Sequence, residues 1–81
     1  MVNRMEDKKE LMEYARWCNE QTGATQGEEQ ITEIVNTCFI TAQNCIYSAK
    51  DFVTMYFRYL NNRSMRVAEF QRMANTRREE Y

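Results

Sequence analysis

The sequence predicts an all-α fold: a helical hairpin or three-helix arrangement with one long central helix, assembled as a helical-bundle homo-oligomer. Three observations carry this. The 81 residues include no proline and only two glycines, so few positions can interrupt a helix. From Ile31 to Tyr59, apolar or small residues recur at alternating spacings of four and three: Ile31, Val35, Cys38, Ala42, Cys45, Ala49, Phe52, Tyr56 and Tyr59. That spacing is a coiled-coil seam. A second row at seven-residue spacing, Phe39, Ile46, Val53 and Leu60, runs beside the first and makes the apolar surface too wide for a single partner helix.

The elements follow in order along one domain, residues 1–81. The first helix is expected over residues 4–22. Asn3 and Glu6 have capping-box spacing and Asp7 adds a carboxylate to the first turn. Leu11, Ala15 and Cys18 form its inner stripe, flanked by Met5, Met12, Tyr14 and Trp17, while Lys8, Lys9, Glu10, Glu13, Arg16 and Glu20 mark the wet side. Thr22-Gly23-Ala24-Thr25-Gln26-Gly27 is the one clear turn, with Gly23 suited to the left-handed residue that closes a helix. Thr25 and Glu28 form a second capping box, and Glu28 and Glu29 place negative charge on the first turn of a long helix over residues 26–61. Asn61-Asn62 is the next interruption, since asparagine tolerates the left-handed conformation, and Ser64 caps a third helix over residues 65–78. Without that break the central helix runs on to the C-terminus as one rod.

A domain of this length buries only roughly 60% of the surface that its unfolded chain exposes, so partner subunits are the expected source of further stability. The small residues Cys38, Ala42, Cys45 and Ala49 let helix backbones approach closely. The expected oligomer interface is Ile31, Val35, Cys38, Phe39, Ala42, Cys45, Ile46, Ala49, Phe52, Val53, Tyr56 and Leu60. The competing reading is a compact three-helix monomer that hides the stripe alone.

Several chemistries lack their parts. Three cysteines with no Cys-x-x-Cys and no histidine do not make a zinc set, and on one helix Cys38 and Cys45 would stand about 10.5 Å apart along the axis, beyond a disulfide. They read as small buried hydrophobes. No metal and no cofactor is expected. The uncharged stretch from Ile34 to Ala49 is shorter than the roughly 20 apolar residues of a bilayer span and holds six polar side chains, so no membrane association is expected. The opening residues lack a signal-peptide core, which predicts a cytoplasmic location. With no histidine, no Gly-rich phosphate loop and no base beside Cys18, the chain is not expected to be an enzyme.

Charge is unevenly placed. Residues 1–33 hold eight acids and four bases, net −4, whereas residues 58–81 hold six arginines and three glutamates, net +3. Two functions follow as expectations. The first is a small helical protein-interaction module that self-associates and binds another macromolecule in the manner of an adaptor or inhibitor, with Tyr14 and Trp17 as anchors. The alternative is an oligomeric, sequestering binder of an anionic ligand such as a nucleotide or RNA, held by Arg58, Tyr59, Arg63, Arg66 and Arg72. The bland account of the same charges is pairing between the acidic first helix and the basic last helix of neighbouring subunits.

Overall fold

Asp7 starts the first helix: its carboxylate accepts the backbone N–H of Lys9 at 3.1 Å, and α1 runs over Lys8–Gln21. A computed structural model of the chain describes residues 7–77. The Asn3–Glu6 capping box and the first residues of the 4–22 helix lie outside the described residues. Leu11, Ala15 and Cys18 are the buried stripe of α1, as their spacing predicts. Thr22 closes the helix, its hydroxyl donating to the Cys18 carbonyl at 2.8 Å, and Gly23 follows with φ +73°, the left-handed value that a side chain would oppose.

The second helix, α2, spans Glu28–Thr41. Gly27 is its N-cap and no side-chain cap bond forms, so the Thr25–Glu28 capping box is not used. The connection is held from α1 instead. The Asn19 amide donates to the Gln26 carbonyl and accepts from the Gln26 N–H, both at 3.2 Å, which fixes the chain one residue before the helix begins.

The expected 26–61 helix is two helices. After Thr41 the chain tightens into a 3₁₀ turn, Ala42–Asn44, and Cys45 is fully extended at φ −123°, ψ 155°. Ser48 then caps α3, Ala49–Arg58, with a complete capping box: Ser48 Oγ accepts from the Asp51 N–H at 3.1 Å and the Asp51 carboxylate accepts from the Ser48 N–H at 3.0 Å. These two bonds satisfy two of the orphan donors of a new helix start, and the helix begins there in spite of the continuing apolar spacing. The chain therefore folds back, and α3 packs on α2 as well as on α1.

The break near Asn61-Asn62 is present, but its chemistry differs from expectation. No residue there has positive φ. Tyr59 ends α3, the Asn62 N–H donates to the Tyr59 carbonyl at 2.9 Å, and Asn62 rather than Ser64 caps α4, Arg63–Ala74. This last helix starts two residues earlier than expected and ends at Ala74, not 78.

The core lies among α1, α2 and α3. Leu11, Val35, Cys38, Cys45, Phe52 and Val53 are its largest fully buried side chains, while α4 contributes Met73 as its one buried residue. Phe52 links the two regions, its ring centroid 5.0 Å from that of Phe70 on α4. The far end of α4 is clasped to the α2–α3 connection. Cys45 Sγ lies 3.0 Å from the carbonyls of both Met73 and Thr76, sharing its proton between them, and the Ile46 N–H donates to the Thr76 carbonyl at 3.4 Å. The body measures 42 × 28 × 18 Å, thin enough in one direction for about two helix diameters.

Candidate interaction surfaces

The break at Ala42–Ser48 redistributes the residues assigned to an oligomer interface. Ile31, Val35, Cys38, Cys45, Ala49, Phe52 and Val53 are buried within the single chain. Phe39, Ala42, Tyr56 and Leu60 are half-buried and pack on the same core. Only Ile46 is turned out, at 58% exposure, because it sits on the irregular connection and not on a helical seam. The apolar girdle that required a second subunit is thus covered by the chain's own fold-back, and the compact reading accounts for its burial.

The arginine set does not converge on one point. Arg58 and Arg63 are exposed. The half-buried Arg66 lies with its guanidinium carbon 4.7 Å from the Tyr56 ring centroid and donates to the Leu60 carbonyl at 3.2 Å, a cation–π contact combined with closure of the α3–α4 turn. Arg72 is occupied by Glu69 one turn earlier and also bonds the Tyr47 side chain, so its pKa is raised, chiefly by the Glu69 bond, while that of Glu69 is lowered by the same pair. Tyr59 is half-buried against the core. By helical spacing Arg63 and Arg66 share one stripe of α4 with Val67 and Phe70, whereas Arg72 faces the other flank with Glu69.

That stripe forms one wall of a recess. Arg66, Val67, Phe70 and Gln71 of α4, Tyr56 of α3 and Thr37 of α2 enclose an open hollow of about 210 Å³. Tyr56 and Phe70 stand edge to face, 6.5 Å apart with planes at 87°. Phe70 and Tyr56 stand among the arginines in sequence as aromatic faces able to stack a ligand, whereas sequence reasoning missed Val67, Gln71 and Thr37. The repeat Arg63, Arg66, Val67, Phe70 at steps of three, one and three was the available signal, but Thr37 joins it only through the tertiary fold.

Tyr14 and Trp17, one turn apart on α1, are stacked at 5.9 Å with planes 23° apart. Tyr14 is the fixed member: its hydroxyl shares a 2.6 Å hydrogen bond with Thr54 Oγ1 on α3, and Lys50 lies 5.4 Å from its ring centroid. Trp17 is 53% exposed. Glu13 and Glu20 stand one turn to either side of it and Glu10 two turns before, all exposed, so its border on α1 is acidic. Arg16 points away to α2, where Nε meets Glu28 at 2.8 Å; that bond lowers the Glu28 pKa and raises the Arg16 pKa.

The described residues hold no group of three His, Cys, Asp or Glu side chains able to bind a metal, and no described helix is long and apolar enough to cross a membrane. Desolvation pushes the Cys38 thiol up to about 12 and raises that of Cys18. A thiol so disposed is a packing group, since the thiolate is the reactive form. No family model, curated protein or solved structure matches the chain.

Proposed function

We propose that the chain is a small, non-enzymatic docking module that works by binding other protein surfaces, with Trp17 as its anchor. The observation that carries this is the construction of the aromatic pair. A tryptophan more than half exposed is stacked on a tyrosine that is itself bonded to a second helix, so a large rigid side chain is held outward with little freedom left to lose on binding. Tryptophan is among the residues most enriched at binding hot spots. The bordering glutamates favour partners of positive charge and keep this face from self-pairing edge to edge.

The test is photo-crosslinking from position 17. With a benzophenone side chain in place of Trp17, a protein adduct is expected that does not form when the same group replaces the exposed Gln30 on α2. Absence of any protein adduct at position 17 rejects the reading.

A second reading, an anionic ligand held by arginines, is favoured by one observation: the Arg63–Arg66–Phe70 stripe carries no acid. On that reading nucleotide or RNA binding falls steeply with added salt, and Arg63→Ala with Arg66→Ala abolishes it. Occupation of Arg66 and Arg72 by intramolecular partners makes it the weaker of the two.

A further inference from the structure

We infer that one partner of the Trp17 face is a second copy of this chain, whose α3–α4 recess receives the indole. This rests on the docking reading above and names its occupant. The recess, at about 210 Å³, falls below the ~300 Å³ at which small-molecule pockets begin and suits one large side chain. Its walls are the edge-to-face pair Tyr56 and Phe70, the half-exposed Val67 and the stacked Arg66 guanidinium, groups that pack well on an indole through aromatic and cation–π contact.

Charge gives the pairing its direction. The knob is bordered on α1 by Glu10, Glu13 and Glu20, with Arg16 tied to Glu28 on α2, and the recess is bordered on α4 by Arg63 and Arg66, with Glu69 tied to Arg72. On the knob side Lys9, one turn before Glu13, and Lys50, and at the recess Glu33, one turn before Thr37, are the opposing unpaired charges; three acids against two bases and two bases against one acid leave the signs complementary. Like meets unlike only when α1 of one copy faces α4 of another. In a two-fold pair each copy supplies one knob and one recess. Of the seam residues only Tyr56 takes part in this contact, so self-association moves from the girdle to the two ends of the charge gradient.

Trp17 is the chain's single tryptophan, so its emission reports the contact directly. On concentration of the intact chain into the micromolar to submillimolar range, sedimentation is expected to show dimer and the emission to shift to the blue, both reversed by salt. Trp17→Ala and Val67→Asp alter surface positions, so folding, checked by circular dichroism, is retained. Each alone is expected to weaken dimerisation about 30-fold or more, as loss of a hot spot does. Mixing the two restores one of the two contacts, the Trp17 of the Val67→Asp copy in the intact recess of the Trp17→Ala copy, so the mixture is expected to associate more tightly than either variant alone and less tightly than the parent. A chain monomeric throughout, variants that dimerise like the parent, or a mixture that associates no better than either variant alone overturns the inference. Any of these results together with a foreign-protein adduct at position 17 leaves the docking reading standing; with no adduct at all, both fall.

Discussion

The three-helix body and α4 are held by different physics. The body is knitted by interlocking apolar side chains from α1, α2 and α3, whereas α4 has one buried residue, Met73, and is otherwise fastened at points: the Arg66–Tyr56 stack, the Phe52–Phe70 contact and the Cys45 clasp. A helix pinned at few points can present a surface without being needed to complete the core. Most of the apolar burial is thereby concentrated in the body, and α4 keeps most of its length exposed.

The comparison is broken most severely through Phe52, which belongs to both regions. Phe52→Ala is expected to cost about 3–5 kcal/mol, a large share of the roughly 5–15 kcal/mol typical of a domain, and denaturant titration should show the midpoint of the whole transition falling. Met73→Ala is expected to cost about 2 kcal/mol, near the low end for buried methionine, with its effect confined: amide exchange should quicken over residues 63–74 and stay unchanged in α1 and α2. Ser48→Ala removes half of the capping box that turns α2 into α3 and is expected to cost about 1 kcal/mol in the same titration. Val67→Ala should stay within about ±0.5 kcal/mol of the parent, as surface positions do.

The smallest effect is expected at the exposed Arg16–Glu28 pair. Because the folded pKa of Glu28 is lowered by Arg16, its contribution is present above the usual carboxylate range and is lost as pH falls through the folded value. Glu28→Gln should therefore be slightly less stable than the parent at neutral pH and indistinguishable from it in acid. Stability measured by denaturant at both pH values checks the sign.

The sequence was legible where local chemistry and periodicity agreed. The Leu11–Ala15–Cys18 stripe, the left-handed Gly23 and the acidic first turn at Glu28 and Glu29 all stand where their residue types require. It misled where the two disagreed. Cys45 and Ala49 continue the four-and-three spacing across a chain reversal, since both face inward from either side of it, and the pattern therefore reads as one helix. Ser48 and Asp51 have the same capping-box spacing as Thr25 and Glu28, but they sit inside the four-and-three apolar pattern, which points the other way. At Thr25 the cap was overridden in turn by Asn19, a residue from the preceding helix. The recess was beyond reach for a simpler reason: it joins residues as far apart as Thr37 and Gln71, and no local rule places them together.

The thiol at Cys45 has a consequence for timing. Cys38 sits at the heart of the three-helix body, whereas Cys45 is covered where the last turn of α4 crosses the α2–α3 connection. An alkylating reagent can reach either sulfur only after its cover lifts. The two modification rates therefore run as separate clocks, one for peeling of the C-terminal helix and one for collapse of the body. If α4 is the more loosely fastened part, its clock runs faster.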